Sequence, residues 1–358
     1  MSTTESASTS TTPQAQGLRF GILGCANIAR QFVRDAASSP DVTVLAAASR
    51  NAETAAAFSA SLNIPRSHGS YEALLADPEI DAVYIPLPNS MHAEWAIKAA
   101  DAGKHILSEK PLSLGLAEAQ AMFAAARRNH VMLLEAYPYY FQPQTGVLVQ
   151  LLQEGAIGEV RSMQASFGFV LSKPAGNIRF NPALGGGALL DAGCYALSVI
   201  RLVMGAAPVK VMADSSWDPS GVDISTMATL YYADGRRAQL SCAMDTANHR
   251  RAVIMGSKGT IETEYLNHTS EQAGGHPWGY LPSEMRLRRG VSNAIPFENV
   301  ESGVGSGFRF AAEAFARVVR AGDFAAIERA AVTSLDNAAT LEAMARSARS
   351  GLPEQIAL

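Results

Sequence analysis

Two patterns of apolar and polar residues alternate in the first part of the chain. Short, almost wholly apolar runs alternate with longer stretches in which apolar residues recur at helical spacing. The runs predict strands buried on both faces, and the stretches predict helices that cover them. The predicted strands are 18–23, 42–48, 82–86, 105–108 and 131–135. The predicted helices follow Gly24 as far as 38 and then occupy 52–62, 71–75, 91–102 and 116–129. This alternation is typical of a doubly wound Rossmann domain.

Beyond residue 140 the pattern changes to strands in series. The predicted strands are 160–170, 209–216, 225–233, 236–244, 252–256 and 259–265. Turns at 233–235 and 257–259 join neighbours as hairpins, so this sheet is predicted to be mostly antiparallel. Helices at 306–321 and 334–350 end the chain.

The predicted fold is therefore α/β in two parts. Residues 1–16 are expected to be a disordered tail, and 17–140 the Rossmann domain. Residues 141–358 are expected to form an α+β domain with a large open sheet, and its final helices are free to pack back on the first domain. The outer face of that sheet is a candidate surface for a homodimer.

Composition excludes several classes of partner. Of the 358 residues, 48% are hydrophobic and 17% charged, and the net charge of −4 gives no reason to expect nucleic acid or an anionic membrane. Three widely spaced cysteines favour a reducing compartment, and the histidines lack metal-ligand spacing, so no metal site is expected. No apolar stretch is expected to span a membrane, and the Ser/Thr-rich start lacks the features of a secretory signal. Cytoplasm is the expected location.

The first turn carries a candidate dinucleotide site. After the first strand come Gly24, Ala26 and Ala29, at the spacing of a G-x-G-x-x-G turn in which the second and third positions are small. A helix that starts at Asn27 and Ile28 would point its N-terminal amides at the pyrophosphate. The alternative is a tight turn without a ligand.

The end of the second strand favours NADP(H). Enzymes that use NAD usually place an acidic residue there, whereas this chain has Ser49 and Arg50. A guanidinium and a hydroxyl can both donate to a 2′-phosphate. The alternative is an arginine that only faces solvent.

Three residues carry the candidate chemistry. Lys110 follows the fourth strand, where strand ends meet the ligand crevice, and Pro111 restricts its backbone to an extended form. Asp191 and Tyr195 lie four residues apart after a run of three glycines, so they are predicted to share one helix face. An ammonium group near a phenol favours the phenolate, which can exchange a proton with a carbinol oxygen during hydride transfer.

The order of these motifs resembles the Gfo/Idh/MocA oxidoreductase family from about residue 18 to the end of the chain. The resemblance rests on the turn at 21–29, Pro88-Asn89 followed by His92, Glu109-Lys110-Pro111, and Gly186-Gly187 through Gly193. It implies that Leu87, Pro88 and Asn89 line the nicotinamide ribose, and that Glu109 and Lys110 bind the ribose and assist catalysis. His92 either contributes to this cofactor site or only packs its helix.

Many members of the family have histidine where this chain has Tyr195. Tyrosine resembles the branch of glucose–fructose and aldose–aldose oxidoreductases, NADP-dependent xylose dehydrogenases and dihydrodiol dehydrogenases. In that branch an arginine approaches the cofactor, and Arg179 matches it here.

The resemblance implies an enzyme that oxidises an aldose at C1 to a lactone with NADP(H). If the cofactor stays bound, a second aldose becomes the hydride acceptor. In this hypothesis Asp191 holds a neighbouring substrate hydroxyl. The alternatives are a dehydrogenase for another polyol, a dihydrodiol or a keto-sugar, and a regulator that binds NADP without turnover.

Overall fold

A parallel sheet of six strands forms the first half of the protein. The computed structural model describes residues 17–171, 176–272, 274 and 276–357, so the tail expected at 1–16 lies outside the described residues. The strands run in the order β3-β2-β1-β4-β5-β6, which is that of a dinucleotide-binding sheet. Their bounds are β1 Leu18–Leu23, β2 Val42–Ala48, β3 Arg66–His68, β4 Ala82–Ile85, β5 His105–Glu109 and β6 Leu133–Ala136.

Five helices connect these strands and cover both faces of the sheet. They are α1 Asn27–Ala36, α2 Ala52–Ser61, α3 Tyr71–Leu75, α4 His92–Asp101 and α5 Leu116–Arg128. The residues of β1, β4 and β5 are almost wholly buried, as the apolar runs predicted. The predicted Rossmann fold is therefore confirmed.

A second sheet of nine strands follows, after α6 (Pro143–Gln153). Its order is β14-β13-β12-β11-β7-β10-β9-β8-β15, and β7 with β10 is the only parallel pair among the described strands of this second sheet. The prediction of a large, mostly antiparallel sheet is confirmed. The bounds are β7 Val160–Val170, β8 Lys210–Trp217, β9 Asp223–Tyr231, β10 Arg237–Ala243, β11 Asp245–Gly256, β12 Gly259–Glu264, β13 Met285–Arg289, β14 Glu298–Asn299 and β15 Glu354–Gln355.

Three helices complete this half: α7 (Cys194–Met204), α8 (Gly307–Ala321) and α9 (Phe324–Ser350). The last helix begins ten residues before the predicted start at 334. Phe308 and Phe315 of α8 are buried in the core of the first sheet, against Phe32 and Phe20 respectively. The helix α8 therefore completes the hydrophobic core of the first sheet, although it comes near the end of the chain. The domain boundary near residue 140 stays a prediction.

The helical run Pro182–Met204 corrects one expectation. By length and composition it is apolar enough to cross a membrane, although no such stretch was predicted. Within the protein, 78% of its most apolar stretch is buried. These side chains therefore belong to the hydrophobic core beside the second sheet.

Asp35, a buried residue of α1, joins the two halves. Its carboxylate accepts hydrogen bonds from the Tyr280 hydroxyl at 2.6 Å and the Ser306 hydroxyl at 2.5 Å. The ring of His268 stacks on Tyr280 with centroids 4.8 Å apart, and burial lowers the pKa of His268 to about 4 although Asp35 opposes that shift. The loop around Trp278 and Tyr280 thus packs on α1, the helix that follows the predicted phosphate turn.

Candidate active site

A cleft of about 540 Å³ lies between the carboxyl ends of the first sheet and the inner face of the second. It collects residues that are far apart in the sequence but were singled out there. Those predicted residues are Ala26, Asn27, Ile28, Leu87, Asn89, Glu109, Lys110, Arg179, Asp191 and Tyr195. Phe167, Phe169, Ile178 and Leu184 add an apolar wall.

The turn after β1 is shaped to admit a phosphate group. Gly24 has φ +120°, and a Cβ there would lie 2.8 Å from the Leu87 side chain, so a larger residue would strain the turn. No side chain of the described residues caps the start of α1, and Asn27 and Ile28 are exposed. An uncapped helix start above a tight glycine turn fits the pyrophosphate of a dinucleotide.

Ser49 and Arg50 lie at the end of β2, on the same edge of the sheet. The Arg50 side chain is exposed to solvent beside Tyr71, and Ser49 is half-buried. No acidic residue occupies this strand end. The position therefore suits a phosphate better than the two hydroxyls of an unmodified ribose.

Lys110 points its ammonium group into the cleft. Its Nζ donates to the Asp191 backbone oxygen at 2.8 Å and to Asp191 Oδ1 at 3.0 Å, and lies 4.7 Å from the centre of the Tyr195 ring. Burial alone would lower the pKa of Lys110, but the Asp191 carboxylate holds it above its ordinary value. Lys110 is therefore a fixed cation beside the phenol.

Asp191 is shared by two cations. Its second oxygen, Oδ2, accepts from Arg179 Nε at 2.5 Å. Burial would raise the pKa of Asp191, but Lys110 and Arg179 together lower it to about 2. In this arrangement the carboxylate orients both cations, and its suggested contact with a substrate hydroxyl stays a prediction.

Tyr195 lies beneath the cleft with only 5% of its surface exposed. Its hydroxyl oxygen accepts a hydrogen bond from Asn267 Nδ2 at 3.0 Å. Burial raises the pKa of Tyr195 above its ordinary value, although Lys110 and Arg250 act to lower it. Lys110 thus acts on the Tyr195 pKa in the predicted direction, but burial has the larger effect and the net pKa is raised.

A π-helical turn at Leu189–Gly193 brings these groups together. Asp191 lies in this turn and Tyr195 in the first turn of α7, and both contact Lys110. The two residues share a face, although the regular α-helical spacing assumed from the sequence does not apply. Such turns are frequent at functional sites because they displace one residue from the regular register.

Asp223 supports this turn from the second sheet. Its Oδ2 accepts from the Leu189 amide at 2.6 Å and from the Thr226 hydroxyl at 2.9 Å. A Cβ at Gly187 would lie 2.1 Å from Asp223 Oδ1, and Gly187 has φ +113°. The glycine run therefore lets the helix start approach this carboxylate.

The remaining predicted residues surround the cleft in different ways. Glu109 is buried and accepts from the Tyr84 hydroxyl at 2.5 Å, and burial raises its pKa. Asn89 donates to the Gly185 oxygen at 2.8 Å, and the half-buried Pro88 precedes it.

His92 is wholly buried beneath the cleft. Its Nδ1 lies 2.8 Å from the Pro111 carbonyl oxygen, and its Nε2 lies 2.8 Å from the Leu87 carbonyl oxygen. The ring therefore joins the loops that follow β4 and β5.

Sequence reasoning missed Asn267 and Arg250. The Arg250 guanidinium lies 4.1 Å from the centre of the Tyr195 ring and donates to Asn267 Oδ1 at 3.1 Å. One signal was present: Arg250, Ala252 and Ile254 alternate along β11 as its inward-facing residues. An arginine at an inward position of a strand indicates a buried polar network. Asn267 follows a strand end and carries no comparable signal.

The fold and this site define an oxidoreductase with a dinucleotide-binding domain. A profile of the oxidoreductase family with an NAD-binding Rossmann fold matches residues 18–137, and one of the Gfo/Idh/MocA C-terminal domain matches residues 147–262. The chain belongs to the Gfo/Idh/MocA family, as its motifs predicted.

Individual relatives extend this result over nearly the whole chain. D-xylose 1-dehydrogenase (NADP(+)) 2 of Haloferax volcanii is 34% identical over 93% of this chain and 98% of its own. Aldose-aldose oxidoreductase of Caulobacter crescentus, solved with glycerol, superposes with a TM-score of 0.82 at 27% identity, over 95% of this chain and 100% of that one. A 3-ketoreductase of Actinomadura kijaniata, solved with NADP and TDP-benzene, gives 0.79 at 31%, over 92% and 98%. The prediction of a nicotinamide cofactor is confirmed, and the two relatives named with a cofactor have NADP.

Proposed function

We propose that this protein is an NADP-dependent sugar oxidoreductase that oxidises an aldose at C1 to a lactone. The observation that carries the proposal is the placement of Lys110 Nζ over the Tyr195 ring, next to the uncapped start of α1. The similarity to a xylose dehydrogenase and an aldose-aldose oxidoreductase supports the substrate class.

The cofactor would lie along the turn after β1, with its 2′-phosphate at Ser49 and Arg50. Leu87, Asn89 and Glu109 line the cleft where the nicotinamide ribose would bind. When bound, NADP⁺ supplies the acceptor for the hydride that leaves C1. Arg179, fixed on Asp191, would approach the cofactor from the second domain.

Tyr195 is the proposed proton carrier. In the oxidative direction its phenolate takes the proton of the C1 hydroxyl as the C1–H bond breaks, so a C1–O double bond forms and the ring sugar becomes a lactone. In the reverse direction the phenol donates to the carbonyl oxygen. Lys110 stabilises the phenolate and orients the hydroxyl, and Asp191 keeps Lys110 charged.

We also propose that the protein forms a homo-oligomer through the outer face of its second sheet. A hollow of about 610 Å³ lies on this face, away from the catalytic groups, and Met227 on its floor is 71% exposed. Met212, Met227 and Val253 lie among polar side chains on this face, and such a mixed surface on a large open sheet suits a second copy of the chain. Cytoplasm remains the expected location.

The direct test is turnover by the purified protein with NADP⁺ and a panel of aldoses, followed by the absorbance of the reduced nicotinamide. Lys110→Met and Tyr195→Phe are expected to lose about a hundredfold or more in kcat while they still bind NADPH. Wild-type rates in either variant contradict the assignment.

A second panel of dihydrodiols, other polyols and nucleotide-linked keto-sugars tests the main alternative. The similarity to a 3-ketoreductase favours including the last class. Turnover on that panel alone would replace the aldose proposal but keep the roles of Lys110 and Tyr195. Tight NADPH binding with no turnover on either panel would favour a regulator.

A further inference from the structure

Arg250 is a buried cation with no role in the proposed reaction as described above. Only 8% of its surface is exposed, and its Nε has no hydrogen-bond partner among the described atoms. The described ion pairs give its guanidinium no carboxylate partner. Removing a charge from water without a counter-ion is costly, so an apolar residue would stabilise this core better.

Four aromatic rings enclose this guanidinium. Its Cζ lies 4.1 Å from the centre of the Tyr195 ring, and the others are Phe167 at 4.5 Å, Tyr265 at 4.9 Å and Tyr139 at 5.8 Å. Cation–π attraction compensates part of the lost hydration. The nearest of these rings is that of the proposed proton carrier.

A hydrogen-bond chain runs from the guanidinium to the reactive oxygen. Arg250 Nη2 donates to Asn267 Oδ1 at 3.1 Å, which leaves the Asn267 amide nitrogen facing the Tyr195 hydroxyl at 3.0 Å. Because an amide nitrogen only donates, the Tyr195 oxygen is the acceptor and its own proton is free to point into the cleft. Gln142 fixes the same segment by donating to the Asn267 backbone oxygen at 2.7 Å.

We infer that Arg250 and Asn267 are positioning residues for Tyr195: the guanidinium orients the Asn267 amide and supplies a counter-charge that is complete only when Tyr195 is a phenolate. The inference rests on the proposed function and deepens it, because it assigns to the second domain a part in controlling the proton carrier. Lys110 acts from the first domain, across the cleft.

Several other groups face Tyr195 and take part in its ionisation. Lys110 and Arg250 favour the phenolate, whereas Glu109 and Cys194 oppose it. Tyr84 and Arg179 also interact with it electrostatically, and Asp191 lies between Arg179 and Lys110. Among them, Arg250 is the cation without an acidic partner in the described structure, so its charge is the least neutralised.

The test places difluorotyrosine at position 195 of the full-length protein and follows its ionisation by fluorine NMR. Ring fluorines withdraw electrons and bring the phenol titration toward neutral pH. Neither substrate nor turnover is needed, so a failure of the proposed function would not obscure the result. Arg250→Met is expected to move the midpoint upward by about one pH unit or more, a tenfold loss of phenolate at a given pH.

Further variants separate charge from orientation. Arg250→Lys keeps the cation and is expected to move the midpoint least, whereas Arg250→Gln keeps a donor for Asn267 and is expected to move it nearly as far as methionine. Asn267→Ala removes the bond to the hydroxyl and is expected to give a smaller upward shift. The control is Arg237→Met, since Arg237 stacks on Tyr231 at 5.3 Å in the same sheet, away from the cleft.

An unchanged midpoint in a folded Arg250→Met or Arg250→Gln variant overturns the inference and leaves Arg250 a packing residue. If neither folds, as judged by thermal unfolding, Asn267→Ala decides: an upward shift supports the inference, and no shift overturns it. A shift in Arg237→Met equal to that in the Arg250 variants also overturns it, since the effect would then be one of net charge.

Discussion

The ammonium group of Lys110 lies within hydrogen-bond distance of both the backbone and the side chain of Asp191, at 2.8 and 3.0 Å. The lysine comes from the end of β5 and the aspartate from the turn before α7, so this pair crosses from one domain to the other. Because both groups are largely buried, their pairing favours the charged form of each, and Arg179 adds to the effect on Asp191.

Asp191→Asn should uncouple this pair. Without the carboxylate, burial lowers the pKa of Lys110, and kcat is expected to fall about a hundredfold at neutral pH. Steady-state kinetics with NADP⁺ and the best aldose measures this. Asp41→Asn, which removes an exposed pair with Arg320, should leave kcat unchanged. Equal kcat in Asp191→Asn and the parent would contradict the proposed role of the pair.

Arg50→Ala should weaken the binding of NADPH but not that of NADH. A lost charge-assisted contact to a 2′-phosphate corresponds to a rise in Kd of about ten- to a hundredfold, whereas the Kd of NADH should stay the same. Cofactor fluorescence titration measures both constants. Arg161→Ala, an exposed pair with Glu159 in the second domain, is the matched control. A parallel loss of NADPH and NADH affinity would show that Arg50 does not read the phosphate.

Gly187→Ala should destabilise the helix start. The added Cβ would meet Asp223 Oδ1 at 2.1 Å and would hold alanine at φ +113°, so a loss of about 2 to 4 kcal/mol in the free energy of unfolding is expected. Gly205→Ala is the control, since φ is +72° there and the new Cβ meets nothing within 4 Å. It should cost about 1 kcal/mol. Denaturant unfolding that gives equal losses would rule out the contact with Asp223 as the cause.

His268 predicts a pH dependence of stability. Its pKa is about 4 in the folded protein, below the ordinary value of about 6.5, so the unfolded chain binds a proton first as pH falls. Above pH about 6.5 the protonation of His268 does not affect the free energy of unfolding. Between pH about 6.5 and 4 it lowers that free energy progressively, and below pH about 4 the loss is constant. Between pH 7 and 5 the parent should lose about 1 to 2 kcal/mol more than His268→Gln or His268→Phe in denaturant unfolding. Parallel losses in all three proteins would argue against a buried neutral ring.

The sequence predicted the first sheet well because strands buried on both faces leave a clear apolar run. It missed β3, since Arg66–His68 is three residues long and contains no apolar side chain. The first half of β11 was also missed because residues 245–249 are exposed and all but Ala247 are polar. In both cases neighbouring strands supply the pairing, which no local pattern records.

In the candidate site, Lys110, Asp191 and Tyr195 were predictable because each belongs to a motif with a known place in the fold. Arg250 and Asn267 reach Tyr195 only through the pairing of β7 with β11 and the course of the loop after β12. The pKa of Tyr195 could not be predicted either, since it depends on how completely the surrounding rings exclude water.

The packing of α8 has a consequence for the order in which this protein can be made. Phe308 and Phe315 close the core of the first sheet, yet they are synthesised after nearly nine-tenths of the chain. The cofactor-binding half therefore cannot finish folding on the ribosome while the second half is still being translated, although its strands are made first. A nascent chain released early would carry the Rossmann strands with part of their apolar surface uncovered, a form that chaperones and proteases recognise.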